Sequence, residues 1–479
     1  MNRNNPPGLT DQRSASGPGT RPVTVAIATQ GCKLNQADSQ VMAQEFARAG
    51  FQMVDIASGP QVLVVNTCTV TGAADAKARQ ALRSARRSNP ETLVVATGCY
   101  AERVPESLER LTAVSLVVGN SKKHQLVSMI SSALEGREAP KPVGFQATET
   151  AESPGFGPSA ATPLWLSPTG RTRAMIKIQE GCDQVCAYCI VPKVRGRERS
   201  IPAAELISRI NECQDRGFQE VVLTGTQLGT YGFDLPGGSL RSLLAAILAE
   251  TSVPRIRVSS LQAQELDAEL LDLWQDSRLC PHFHIPLQSG SDDVLRAMRR
   301  RYDTARFAEA VGLVRGSVPD TGITTDIIVG FPGETDEMFR AGLDFASSMG
   351  FSGIHAFPFS PRPGTSAYHH KAQTPEPVKK DRMSQMLWLA DETSNSFRRQ
   401  KLGRTYPVLW ESSVPGDPAS GPRVWSGLTH NYLRVHGHSA KDLGNAITPA
   451  RLVAGDGSRL DAQVMDDRFR EISGGSSPG

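Results

Sequence analysis

The sequence lacks any run of 18 apolar residues, so no membrane-spanning helix is expected. Its opening stretch, Met1 to Pro22, is Asn, Gly, Pro, Ser and Arg with no apolar core. That composition argues against a signal peptide and reads as a disordered tail over residues 1–21. Cysteine is scarce, at 8 in 479 residues, which argues against a disulfide framework. With nothing secretory ahead of them, the thiols are read as cytoplasmic, reduced and free to bind metal. A surplus of one charge sign is lacking too: 52 basic side chains face 49 acidic ones, a net of +3. Any nucleic-acid surface must therefore be local. What remains is globular material, 39% hydrophobic and long enough for about three domains.

What the chain does have is cysteine in a pattern. Cys182, Cys186 and Cys189 stand at a C-x3-C-x2-C spacing on one short loop. Three thiolates on such a loop can wrap an iron–sulfur cube and leave one iron open. Zinc is the competing metal, but structural zinc takes four closed ligands, usually as paired hooks, and no second hook lies nearby. Three structural cysteines are the bland alternative, although free cysteines usually disperse through cores. The spacing, with Tyr188 just ahead of the last cysteine, resembles the signature of the radical S-adenosylmethionine (SAM) enzymes. The resemblance implies that these three cysteines hold a 4Fe–4S cluster whose open iron chelates SAM. An electron from it would split SAM into methionine and a 5′-deoxyadenosyl radical.

Residues 22–135 read as an α/β domain. Strands are expected at Val23–Ala28, Val62–Val65 and Leu93–Thr97, with a helix whose face is Val41, Phe46 and Ala49, and another from about Ala73 to Arg87. This alternation favours a doubly wound parallel sheet. Cys32, Cys68 and Cys99 each fall just past a strand end, so all three loops share the sheet edge where ligands bind. Gly31-Cys32-Lys33-Leu34-Asn35-Gln36, Asn66-Thr67-Cys68-Thr69-Val70-Thr71 and Gly98-Cys99-Tyr100-Ala101-Glu102 resemble the N-terminal domain of the methylthiotransferases. In that family the three cysteines hold an auxiliary 4Fe–4S cluster that carries the sulfur to be inserted. Lys77, Arg79, Arg83, Arg86 and Arg87 make the second helix basic, as a solvated face or as a phosphate-contacting one.

Residues 136–170, rich in proline, read as a linker. Residues 171–400 alternate six strand candidates with helices, which suits a partial (βα)6 barrel with its functional groups at the strand C-termini. By resemblance, Gly225 and Thr226 border the SAM amino group, Ser259 the ribose, and Gly330 and Glu334 the adenine. His284 and Gln288 belong to His284-Ile285-Pro286-Leu287-Gln288-Ser289-Gly290-Ser291, a motif typical of the methylthiotransferases. With Tyr188 these are the expected cofactor-binding residues, and no catalytic group beyond the cluster ligands is assigned. The family usually has an acidic residue and a proline where this chain has Gln262 and Ala263, which puts a local hydrogen bond or turn in doubt. Lys193, Arg195, Arg197 and Arg199, with Arg296, Arg299, Arg300 and Arg301, are basic clusters at the expected mouth. Cys213 and Cys280 read as structural.

Residues 401–468 show short apolar runs between turns, expected as a five-stranded β-barrel with strands including Asn431–Val435 and Asn445–Ile447. Gly427-Leu428-Thr429-His430-Asn431-Tyr432 resembles the small RNA-binding (TRAM-like) barrel that ends tRNA-modifying members of the family, with a plain docking barrel as the alternative. Residues 469–479 read as a second tail. The resemblance thus implies a radical SAM methylthiotransferase with two 4Fe–4S clusters, tRNA as partner, an electron donor such as flavodoxin or ferredoxin, and a sulfur source. The residues after Cys32 and Cys68 look most like the subgroup acting on N6-threonylcarbamoyladenosine at tRNA position 37. The isopentenyladenosine subgroup is the runner-up, ribosomal-protein modification is third, and a non-catalytic iron–sulfur RNA-binding sensor is the rival from another class.

Overall fold

The computed structural model describes residues 22–136, 172–414, 423–455 and 459–465. Both expected tails, and nearly all of the expected linker, lie outside these residues. No helix among the described residues is long and apolar enough to cross a membrane.

The first unit is a parallel sheet of β1 (Thr24–Thr29), β2 (Gln52–Met53), β3 (Val62–Thr67), β4 (Leu93–Gly98) and β5 (Leu116–Val118), in the order β2-β1-β3-β4-β5. Alternation along the strands builds both layers. Val25, Val62, Val64 and Val95 pack against Met42 and Phe46 of α1 (Lys33–Arg48). Ala26, Leu63, Val65 and Val94 pack against Ala78 and Leu82 of α2 (Gly72–Ser88). Central strand β3 is buried throughout, as a strand covered on both faces must be. The sequence reading missed β2 and β5, which are too short to show a period. The buried stripe of α1 is Leu34, Ala37, Met42 and Phe46, not Val41, Phe46 and Ala49, because the helix has already ended at Ala49.

The second unit has all six expected strands: β6 (Arg173–Lys177), β9 (Glu220–Thr224), β10 (Arg255–Val258), β11 (His282–His284), β12 (Gly322–Val329) and β13 (Gly353–Pro358). Between them, β7 (Gln179–Glu180) and β8 (Arg199–Ser200) form an antiparallel brace on either side of the Cys182 loop. The six strands run parallel in two ladders, β6-β9-β10 and β11-β12-β13. The barrel is open on one side, and α1 lies against that opening, with Ala37 packed on Met175 and Val222.

The third unit is a closed barrel of β14 (Thr405–Val414), β15 (Arg423–Thr429), β16 (Arg434–Ser439), β17 (Ile447–Ala454) and β18 (Leu460–Val464) around a fully buried Trp410. Two strands begin or extend later than expected. Tyr432 and Asn445 sit at φ of 76° and 59°, a left-handed backbone that no strand continues through. The segment that resembles an RNA-binding barrel is partly an internal dock. Arg255 donates to the carbonyls of Leu428 and Thr429 at 3.1 and 3.0 Å, Arg257 donates to that of His430 at 3.1 Å, and Tyr432 stacks on His282 with centroids 4.1 Å apart.

Glu220 lies beneath this dock with its carboxylate 2.9 Å from Arg255 and 2.8 Å from Arg257. Burial alone would raise its pKa, but Arg257 and Arg255 outweigh it and bring it down to about 2. The folded protein holds this proton less tightly than the unfolded chain. The stability it contributes is therefore present above pH 4.5, its ordinary value, and is lost as pH falls toward 2. Glu220→Ala leaves two buried guanidiniums facing each other and should destabilise by about 3–5 kcal/mol. A chemical denaturation series checks the magnitude, and limited proteolysis should release the C-terminal barrel first.

Candidate active site

The Cys182 loop is shaped by its neighbours. Gly181 has φ of 82°, and a Cβ there would lie 1.8 Å from the Arg197 carbonyl oxygen, so only glycine starts the loop. Cys182 N–H bonds the Gly196 carbonyl at 3.1 Å, and Cys189 N–H closes a turn onto Cys186 at 3.1 Å. Gln184 N–H reaches the Cys182 sulfur, and Arg300 Nη1 the Cys186 sulfur, both at 3.4 Å. The three thiols sense one another's charge. Burial pushes Cys182 up to about 11 and Cys189 to about 12, so a bound cation must supply the charge that keeps them as thiolates.

Cys32, Cys68 and Cys99 also converge. A Cβ on Gly31 would lie 2.8 Å from the Cys68 sulfur, and Cys68 feels both Cys32 and Cys99. Burial raises its thiol to about 11. Cys99 packs against Ile190 and Val194, and Ile190 directly follows Cys189. Asn120 ties the same junction, donating to the Cys99 sulfur at 3.5 Å and to the Val194 carbonyl at 2.8 Å. Cys99 therefore sits against the segment that follows Cys189. Four thiolates around a single zinc would lie about 3.8 Å apart. Among the described residues, the one set of three metal-binding groups within 4.8 Å of one another is His284, Asp326 and His355, so neither cysteine triad is that tight.

Beside the Cys182 loop runs a chain of amides. Gln179 Oε1 accepts from the N–H groups of Thr226 and Gln227, both at 3.0 Å. Gln262 reaches Gln184 at 3.3 Å and accepts from Arg300 at 2.9 Å. The turn placed in doubt by Gln262 and Ala263 forms: Gln262 N–H donates to Glu265 at 2.8 Å and caps a short helix over Ala263–Glu265. Thr226 Oγ1 is buried with no hydrogen-bond partner among the described residues, a vacancy suited to a polar ligand. Gly225 has no room for a side chain, since a Cβ would lie 2.9 Å from Leu228. Ser259 and Gln288 are buried nearby, and Gln288 is held at a φ of 66° by backbone bonds to Asp326 and Ile328.

Tyr188 packs against the apolar cluster that contains Phe331 and Phe359. Gly330 is left-handed at φ of 73°, and its N–H bonds Glu334 at 2.7 Å. Glu334 also pairs with Arg382 at 2.7 Å, so this carboxylate shapes the turn from within. The basic clusters divide. Arg195 and Arg300 are tied into the interior, while Arg197 and Arg296 form exposed pairs with Asp183 and Asp293. On α2, Arg79 holds Tyr100 and Arg86 holds Ser115. That leaves Lys77, Arg83 and Arg87 exposed.

Sequence reasoning missed the amide chain and the set His284–Asp326–His355 as a group, and it read Lys33 only as part of the motif after Cys32. Polar residues at alternate positions of β11 and β12 were the available signal for His284 and Asp326.

The family described as the Radical SAM superfamily matches residues 176–346, and the uncharacterized protein family UPF0004 matches residues 24–119. The fold is similar to a solved radical S-adenosylmethionine methyltransferase, TsrM from Kitasatospora setae, at a TM-score of 0.52 and 16% identity over 72% of this chain and 74% of that one. A cysteine loop at the mouth of a partial βα barrel is thus a radical SAM arrangement, and SAM with a 4Fe–4S cluster goes with it. The threonylcarbamoyladenosine tRNA methylthiotransferase MtaB of Aquifex aeolicus (strain VF5) is 35% identical over 88% of this chain and 98% of its own length. Its Bacillus subtilis (strain 168) counterpart is 34% identical over 90% and 94%. The tRNA-2-methylthio-N(6)-dimethylallyladenosine synthase of that bacterium is 29% identical over 92% and 86%. The chain belongs to the methylthiotransferase family and is a transferase.

Burial raises Glu265 to about 7. The folded chain binds this proton more tightly than the unfolded one, so stability falls as pH rises from about 4.5 to 7. Glu265→Gln should flatten that slope, while its amide NH2, facing a donor where the second carboxylate oxygen had accepted, costs about 1–3 kcal/mol at low pH. Thermal denaturation of both proteins across this range measures it.

Proposed function

We infer that this chain transfers a methylthio group to C2 of N6-threonylcarbamoyladenosine at position 37 of a tRNA. The contact of Cys99 with Ile190, which brings one loop of its triad to the segment after Cys189, supports the chemistry. The 35% identity to a threonylcarbamoyladenosine tRNA methylthiotransferase supports the base. Cys182, Cys186 and Cys189 would hold one 4Fe–4S cluster, and Cys32, Cys68 and Cys99 a second. An aromatic C–H has no acidic proton, so acid–base groups cannot open it; when bound, SAM and the first cluster supply a radical able to do so, and the second cluster carries the sulfur.

The chain's own residues position and enclose. The Gln179 amide anchors the Gly225–Thr226 strand end, leaving the Thr226 hydroxyl for the amino-acid end of SAM. Ser259 borders the ribose. Tyr188 and Phe331 offer an apolar face to the adenine, beside the turn that Gly330 and Glu334 hold. His284 and Gln288 line the floor. Arg300 places a positive charge beside the Cys186 sulfur and the amide chain. The C-terminal barrel, with the exposed Lys77, Arg83 and Arg87, would receive the anticodon stem-loop. A one-electron donor such as flavodoxin or ferredoxin and a sulfur source complete the reaction.

Nucleosides from tRNA of cells with and without the gene test the substrate by mass spectrometry. Loss of the 2-methylthio derivative, with N6-threonylcarbamoyladenosine accumulating, is the expected result. Loss of the isopentenyl-type product instead would overturn the substrate and keep the chemistry. Reconstituted protein should carry about eight irons, and alanine replacement of either triad should leave about four.

A further inference from the structure

Lys33 directly follows Cys32, at the start of the helix that closes the open side of the barrel. Its ammonium lies 5.7 Å from the centroid of the Tyr432 ring, and that ring stacks on His282. The charge of Lys33 therefore sits inside the barrel, where Asp326 and His355 both feel it. The other lumen cations are matched: Arg257 pairs with Glu220 at 2.8 Å and Arg173 with Glu411 at 2.6 Å. Lys33 makes no ion pair and no hydrogen bond among the described residues. Lys33 is half-buried, and burial lowers its pKa while Tyr432 and Asp326 act from a distance to hold the charge. An anion arriving with the substrate would be its first direct partner.

The walls around it are polar. His284, Asp326 and His355 bring their ligand atoms within 4.8 Å of one another. Both ring nitrogens of His284 are engaged, Nδ1 with Thr324 Oγ1 at 3.0 Å and Nε2 with Asp326 Oδ2 at 3.3 Å. A metal ion would have to break one of those contacts and sit near the ammonium of Lys33. Donors and acceptors for a hydroxyl or a urea-type group suit this wall better than ligation does.

We propose that Lys33 binds the carboxylate of the substrate's N6 side chain, with His284, Asp326 and His355 lining the space for its hydroxyl and carbamoyl groups. The inference rests on the threonylcarbamoyl reading of the substrate and names the residue that selects it. The modified C2 must come close to the auxiliary cysteines, so the side chain on the same purine edge arrives beside the residue after Cys32. An isopentenyl side chain carries no charge and would leave Lys33 unmatched, a penalty that discriminates between the two.

The test uses anticodon stem-loop RNAs bearing N6-threonylcarbamoyladenosine, its carboxamide analogue, isopentenyladenosine or plain adenosine. Affinity is read by fluorescence anisotropy, and single-turnover product by mass spectrometry, for the reconstituted wild type and Lys33→Met. The wild type should favour the acid over the carboxamide by about 30-fold or more. Lys33→Met should treat the two alike, at the wild type's affinity for the carboxamide, because both changes delete the same contact. Iron content shows whether the variant has folded and loaded. If it has not, the wild-type comparison of acid with carboxamide decides alone. A wild type that modifies both RNAs equally well overturns the role of Lys33 and leaves the substrate standing. A wild type that modifies only the isopentenyl RNA overturns the substrate, and this assignment with it.

Discussion

The structure depends on one buried carboxylate. Asp38 of α1 holds Lys123 at 2.8 Å from its own unit, and Lys177 at 2.8 Å and Arg195 at 3.2 Å from the barrel. Burial alone would raise its pKa, but the three cations outweigh it and keep it well below the usual carboxylate range. Arg195 reaches on to Glu180 at 2.6 Å, at the foot of the Cys182 loop, and to Asn35 near the start of α1. A single network thus grips the loops that carry Cys32 and Cys182. A buried pair of this kind gains little net stability, because desolvation consumes most of the attraction. What it supplies is registry: only one docking of the two units satisfies all its members.

A second anchor repeats the logic further round the same interface. Asp75 on α2 accepts from Arg103 at 2.6 Å and from Arg362, beyond β13, at 2.7 Å. Beneath the barrel, Arg255 and Arg257 divide their donors between Glu220 and the carbonyls of the C-terminal barrel. Three units are therefore joined by arginines whose planar forks each bridge an acid to a neighbour. Hydrophobic burial builds each unit, and these forks set the units against one another. The reacting groups come from different units, so the precision of the site is the precision of the joints.

Much of the architecture was legible because its signals are local. Buried parallel strands such as Val62–Val65 are continuous apolar runs, and the cysteines past their ends declare the active edge. The misses have physical causes. Strands of two and three residues have no period to detect. Asn431 and Asn445 stand in apolar runs, yet Tyr432 and Asn445 adopt left-handed backbone that only the docked barrel explains. Of the basic residues on α2, Arg79 and Arg86 bind Tyr100 and Ser115. Charge alone could not separate them from Lys77, Arg83 and Arg87. Glu334 sits in a motif that resembles an adenine contact, but its oxygen is already held by Gly330 and Arg382.

The sequence by itself determined the three units, the two cysteine triads and the strand ends that carry them, since each follows from spacing and period within a short window. Only the tertiary structure decided that Cys99 faces Ile190, that the ammonium of Lys33 lies within the barrel unpaired, and that Gly427–Tyr432 begins as a dock. The reason is distance along the chain. Lys33, His282 and Tyr432 belong to three units, and no local pattern records that they share one lumen. Their juxtaposition exists only once Asp38 and Glu220 have gathered the arginines around them.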